Sequence, residues 1–209
     1  IYFINIGFYF INSFYYHVHM FIIKKKYYLI IQSIKDIDLK KIKNFSKLSI
    51  IYRPNSIESI KELRDFRNTC KLKKFHFYIA NNIDLMVKLK AEGLYVSAGN
   101  KSLRFKNFLN NRYRFIGGAH SIKEINLKKL QGCKDIFFSR LFKTSYQNKS
   151  SFFGVVRFNL IINSVIGNFV PLGGINSSNF KKLKMLNCSS IALSSGFKKE
   201  PKLFLNIFL

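Results

Sequence analysis

From Lys24 onward the chain alternates short apolar runs rich in β-formers with stretches of helical period, and it does so eight times. The runs fall at residues 27–31, 48–53, 75–80, 93–97, 115–119, 136–142, 169–173 and 190–194. Each is followed by polar or glycine-rich residues. Strands separated by helical stretches pair in parallel through crossover connections. The pattern predicts an α/β chain, a compact (β/α)8 TIM barrel shorter than the roughly 250 residues typical of the class. An open doubly wound sheet is the alternative, but no G-x-G-x-x-G follows the first run.

The clearest helix is SIESIKELRDFRNTCK, residues 56–71. Ser56 is expected to cap it, Glu58 and Glu62 to sit near its positive end, and Ile57, Ile60, Leu63 and Phe66 to form one face. Further helices are expected at 82–91, 121–130 and 177–186, with Ser121 and Glu124 forming a capping box. Residues 24–209 read as one domain.

The formal charge of +26 suggests a polyanionic partner, yet 28 Lys, 27 Ile, 20 Asn, 23 Phe and 11 Tyr make up more than half of the 209 residues. These types share A- and T-rich codons, so the charge needs no nucleic-acid partner to explain it. No zinc finger, helix-turn-helix or aromatic and basic RNA-binding signature accompanies it. A basic protein of nucleic acid or membrane surfaces is therefore the third of three function classes, and no nucleic-acid partner is expected. Cys70, Cys133 and Cys188 are too few and too far apart for a disulfide framework or a zinc site. The four histidines do not cluster with them, so no metal centre is legible from His and Cys. His76, alternating with Phe75, Phe77 and Tyr78, is expected to be packed.

Residues 1–23 carry no Asp, Glu, Lys or Arg and run into Lys24, Lys25 and Lys26, the pattern of a membrane anchor with a positive flank. Asn5, Asn12, Ser13, His17 and His19 interrupt that run. Met20 offers an alternative start, with the preceding residues as upstream A/T-rich sequence; a packed extra segment is the remaining reading. A membrane partner is expected only if residues 1–23 act as an anchor.

In a barrel of this kind the site lies at the carboxyl ends of the strands. There the chain places Arg53 and Asn55, Asn81 and Asn82, Ser97 and Asn100, Gly118 and His120, Arg140 and Thr144, Gly173 and Gly174, then Ser195 and Gly196. The ring is polar but poor in acid. That argues against paired-carboxylate catalysis and against a magnesium site built from two acids. Gly173, Gly174, Ser195 and Gly196, on adjacent strand ends, would bring bare backbone N–H groups together to cradle a phosphate; otherwise they merely turn the chain. His120 reads as a general acid, a substrate hydrogen-bond donor or a helix cap. Arg53 reads as a bidentate anion ligand or a surface arginine.

The ordered motifs IIYRPNS, IANNIDLMVKLKAEGLYVSAGN, FIGGAHSIKEI, SRLFKT, LGGI and SSGF resemble thiamine-phosphate synthase and its TenI-type thiazole tautomerase relatives, compact (β/α)8 barrels. The likeness runs from about residue 27 to residue 197. It implies a cytoplasmic transferase of thiamine biosynthesis that joins a hydroxymethylpyrimidine pyrophosphate to a thiazole phosphate, its ligands being small phosphorylated pyrimidines and thiazoles. It assigns catalytic roles to Arg53, His120 and Thr144 and the phosphate cradle to Gly173, Gly174, Ser195 and Gly196. Asn55, Asn81, Asn100, Arg140 and Lys149 fall at substrate-binding positions.

The departures matter equally. Ile51 and Asn55 stand where the family's second-strand glutamine and lysine are expected. Ala80 and Asn81 replace its Asn-Asp pair, and Asn100 its later aspartate. Gln147 replaces a lysine that nearby Lys149 could supply, and Arg140 stands at the tautomerase histidine. Magnesium is expected for the family, but its acids are amides here, so no metal ligand is assigned. A phosphate-binding barrel of the same family without turnover is the second function class.

Overall fold

A parallel strand buried on both faces needs apolar side chains at every position, and alternation then divides them between two cores. In β1 (Lys26–Ile31), Tyr27, Leu29 and Ile31 face one core while Tyr28 and Ile30 face the other. The same division runs through β2 (Leu48–Tyr52), β3 (His76–Ala80), β4 (Gly93–Val96), β5 (Arg114–Ala119), β6 (Asp135–Ser139), β7 (Asn168–Leu172) and β8 (Ser190–Leu193). Tyr28 and Ile30 of β1, with Ile51, Tyr78, Tyr95, Ile116, Phe137, Val170 and Ala192, one from each other strand, form the inner core. The outer core lies between strands and helices.

The computed structural model describes residues 26–42, 47–56, 58–108, 112–144 and 151–194. All the pairings are parallel, and the order β7-β6-β5-β4-β3-β2-β1-β8 brings the two edge strands, β7 and β8, side by side, so the sheet curls into a nearly closed (β/α)8 barrel. Each expected strand is present to within a residue or two, except that β6 ends at Ser139. Beyond it Leu141 and Phe142 stay buried as a loop, their N–H groups donating to Leu172 and Gly173 carbonyls at 2.9 and 3.0 Å.

The helices are α1 (Ile60–Leu72), α2 (Ile83–Lys88), α3 (Ile122–Leu130) and α4 (Gly154–Ser164). Ser59, not Ser56, caps α1: its Oγ accepts from the Glu62 N–H at 3.2 Å and donates to the Glu62 carboxylate at 2.6 Å. Glu58 turns away to accept from the Ser33 hydroxyl (2.6 Å), the Ile34 N–H (3.0 Å) and the Tyr52 hydroxyl. Leu63 and Cys70 carry the buried face of α1, while Ile60 is 39% exposed. Asn82 caps α2 through the Leu85 N–H at 2.9 Å. Ser121 caps α3, but only half of the expected box forms, because the Glu124 carboxylate takes the N–H of His120 instead of that of Ser121. The helix expected at 177–186 is a 3₁₀ segment, Phe180–Met185. His76 is exposed at the start of β3, contrary to the packed position its neighbours suggested.

At the amino ends of the strands, Arg114 donates to the buried Asp135 carboxylate through Nε (2.8 Å) and an NH2 group (2.9 Å), and the Tyr28 hydroxyl donates to it at 3.0 Å. Cys70 and Cys133 are buried free thiols whose pKa burial pushes up to about 12, so neither is a poised nucleophile. The expectations for residues 1–23 lie outside the described residues. Among the described residues no helix is long and apolar enough to cross a membrane.

Candidate functional site

The carboxyl ends of β5 and β6 and the start of α4 enclose a cavity of about 460 Å³. His120 enters it directly after β5. Its backbone N–H donates to the Glu124 carboxylate at 2.6 Å, which fastens the residue to α3. Its ring does not cap that helix: Nδ1 lies 2.9 Å from the Ser139 hydroxyl and 3.1 Å from the Ser139 carbonyl oxygen. A carbonyl only accepts, so this contact puts a proton on Nδ1, and Nε2 donates to a ligand only when the ring is protonated there as well, as the imidazolium. Arg140, Ser151, Phe152, Phe153 and Arg157 complete the lining, with no carboxylate among them. Neither arginine belongs to an ion pair among the described residues. Of this group, sequence reasoning named only His120 and Arg140 and missed the others, Ser139 and Arg157 among them. Arg157 sits in a helix whose register against the barrel sets which of its residues reach the cavity.

A second cluster spans β3 and β4. Asn81, held at φ +56°, accepts through its Oδ1 from the Ser97 N–H (3.0 Å), the Ser97 hydroxyl (3.2 Å) and the Asn100 amide (3.2 Å). Beneath this loop lies Lys128, fully buried, whose ammonium donates to the Ser97 carbonyl (2.7 Å), the Asn100 carbonyl (2.7 Å) and Gln131 Oε1 (2.9 Å). Burial lowers its pKa from the ordinary lysine range. The stem of Lys128 fits because residue 117 is glycine: a Cβ there would stand 2.8 Å from Lys128 Cβ and Cγ.

These donors do not fit magnesium. A hard dication takes anionic or free oxygen ligands, whereas the Asn81 oxygen is already saturated by three donors and an ammonium lies under the same loop. Among the described residues no group of three or more His, Cys, Asp or Glu could hold a metal ion.

Gly173 and Gly174, at φ +99° and +72°, follow β7. A Cβ on Gly174 would stand 2.4 Å from the Phe142 carbonyl oxygen, and one on Gly173 would press at 3.3 Å on the Arg140 stem. Both glycines are therefore needed for the close approach of the β6 and β7 loops. Their N–H groups donate to no backbone or side-chain acceptor among the described residues, which leaves them available to an anion. The Thr144 hydroxyl is buried in the β6 loop without a partner among the described residues. Arg53 is exposed after β2; its charge reaches the buried Tyr95, whose pKa burial raises to about 12 while the nearby guanidinium pulls it down. Asn55 lies apart, in a shallower concavity with Gln32, Ser33 and Glu58. Ser195, Gly196 and Lys149 lie outside the described residues.

The structure thus gathers His120 with Arg140, and Asn81 with Asn100, while Asn55 stands away from both groups. Residues 48–197 match the thiamine monophosphate synthase family. A thiamine-phosphate synthase of Prochlorococcus marinus is 24% identical over 137 residues, which cover 65% of this chain and 40% of that protein. One from Fusobacterium nucleatum is 23% identical over 135 residues, 64% of this chain and 66% of that protein. The chain therefore spans about two fifths of the first relative and under two thirds of either one's length. A thiamine phosphate pyrophosphorylase from Pyrococcus furiosus superposes with a TM-score of 0.67 at 15% identity, over 90% of this chain and 97% of that one. TrpF from Jonesia denitrificans superposes at 0.57 with 10% identity, over 88% and 96%. Those two likenesses carry the barrel, and the family match, spanning well over half of the sequence, carries the lineage: the chain belongs to the thiamine monophosphate synthase family.

Proposed function

We propose that the chain is a divergent thiamine-phosphate synthase, a transferase joining a hydroxymethylpyrimidine pyrophosphate to a thiazole phosphate. In that reaction the thiazole nitrogen forms a C–N bond to the pyrimidine methylene carbon. The C–O bond to the pyrophosphate breaks, and its electron pair leaves with the pyrophosphate. The difficult charge is thus the one that develops on the leaving group. The observation carrying the reading is the cation-bearing cavity between β5, β6 and α4, without an acid in its lining and beside glycine N–H groups without an acceptor among the described residues.

In this reading Arg140 and Arg53 stabilise the leaving charge, His120 donates a hydrogen bond or a proton to it, and Thr144 orients a phosphate oxygen. Gly173 and Gly174 would hold the thiazole phosphate, with Ser195 and Gly196 completing the cradle. Asn81, Asn100 and Lys149 would meet the pyrimidine ester. No step runs through magnesium. The test is product formation from the two substrates in EDTA, followed by chromatography. Thiamine phosphate accumulating at a rate that falls at least tenfold in Arg140→Gln supports the reading; turnover that vanishes with the chelator counts against it.

A second reading, a ligand-binding barrel without turnover, is favoured by the Asn81, Ser97 and Asn100 network, which closes on itself instead of presenting charge. Binding of thiazole phosphate by calorimetry without any product would select it.

A further inference from the structure

Arg157 has no place in the reading above, yet it lines the same cavity as His120 and Arg140. Its guanidinium lies over the Phe153 ring at 6.0 Å, a cation–π contact that holds it at the cavity wall. Phe153 is itself stacked on Phe138 of β6, with centroids 4.5 Å apart and 20° between the planes, so its position is set by the buried strand. Arg140 approaches from the other side, anchored where its carbonyl accepts the Phe153 N–H at 3.0 Å. Among the described residues no side chain caps the amino end of α4, so the positive end of that helix adds to the same field.

We infer that this cavity is a metal-independent diphosphate site, with Arg140 and Arg157 as two guanidinium forks and the His120 imidazolium as a third donor. A diphosphate has two phosphoryl groups to divide between two forks, and bidentate guanidinium contacts suit phosphate oxygens geometrically. A monophosphate would leave one arginine unpaired; the glycine N–H groups of residues 173 and 174 offer it a separate place. The Arg140 stem packs along Gly173, so the two anion positions adjoin. The cavity's 460 Å³ leaves room for the group esterified to the diphosphate, against Phe152. The amide cluster at Asn81 and Asn100 rejects a cation, and the arginines supply the positive charge further round the barrel. The assignment rests on the transferase reading only for the identity of the ester.

The experiment is calorimetric titration of inorganic pyrophosphate into the full chain in EDTA, compared with Arg157→Gln and Arg157→Lys, and with thiazole phosphate as a second titrant. Arg157 is exposed, so its replacement leaves packing intact. Pyrophosphate should bind without metal and about tenfold or more weakly in Arg157→Gln. Arg157→Lys should fall between, and thiazole phosphate should bind equally to all three. Pyrophosphate binding that needs added magnesium, or that is the same in Arg157→Gln, overturns the assignment. Metal-free pyrophosphate binding in a protein that forms no thiamine phosphate would leave the diphosphate site standing and remove the transferase reading.

Discussion

At the amino ends of the strands, strong charges meet partners of opposite sign. Asp135 closes on Arg114, and Glu92 pairs with Arg67 at 2.7 Å while accepting the Phe77 N–H at 2.7 Å. At the carboxyl ends the acids serve other ends: Glu58 ties down the Ser33 turn and Glu124 holds the His120 backbone, so Arg140 and Arg157 line the mouth, and Arg53 stands exposed after β2, with no ion pair among the described residues. Two arginines are thus matched by acids on the floor of the barrel, while those at its mouth have no ion pair among the described residues. Charge that is matched internally holds a fold together, whereas charge left unmatched in a concave surface is available to a ligand. The contrast supports a site at the mouth without reference to any relative.

The largest expected effect lies on the floor. Asp135→Asn would leave the Arg114 guanidinium and the Tyr28 hydroxyl facing a neutral amide in a buried position. Arg114 is 38% exposed, so solvent relieves part of the loss. The expected destabilisation is about 2–3 kcal/mol, below the roughly 3–5 kcal/mol of a fully buried pair. Urea denaturation reads it directly; a change under about 0.5 kcal/mol would mean that the floor charges are as dispensable as surface ones.

Lys128 tests the one buried cation of the mouth among the described residues. Lys128→Met keeps the length of the stem and removes three hydrogen bonds. Two of the acceptors keep a second donor, since Asn100 N–H reaches the Ser97 carbonyl at 3.0 Å and the Gln131 amide reaches the Asn100 carbonyl at 2.9 Å. The cost should therefore be smaller, about 1–2 kcal/mol. The distinctive result is local: amide hydrogen exchange should accelerate at residues 97–102 and not on the floor strands. Uniform acceleration would show that Lys128 supports the whole barrel rather than this loop.

The sequence made the barrel legible because parallel strands buried on both faces leave long apolar runs that helices of different period interrupt. It made the mouth legible as a ring, because strand ends fall where those runs stop. What it obscured depended on packing. In the segment LKKL, Lys128 and its neighbour Lys129 are indistinguishable as letters, yet Lys128 falls three residues after the buried Ile125, on the inward face of α3. That register, read with Gly117 opposite, was the available signal. Arg157 escaped because α4 follows residues 145–150, where the strand-end rule gives no guide to how the helix meets the rim. Ser59 rather than Ser56 caps α1 because Ser59 alone stands three residues before a glutamate, Glu62, while Glu58 is taken by Ser33 and Tyr52.

The smallest effect on stability, and the sharpest on function, is expected at Arg140. Its side chain lines the cavity without an ion-pair partner among the described residues, and its structural contribution runs through the backbone carbonyl that accepts the Phe153 N–H. Arg140→Gln keeps that backbone and most of the stem beside Gly173 while removing the charge. Stability should stay within about 0.5 kcal/mol of the parent, while affinity for phosphate-bearing ligands falls severalfold, measured on the same preparation by denaturation and calorimetry. Set beside Asp135→Asn, this gives opposite signatures from two charge changes on one strand and its loop. If Arg140→Gln instead unfolds the protein, the cation at the mouth is structural, and the distinction between a matched floor and an open mouth fails at the residue where it is most exposed to test.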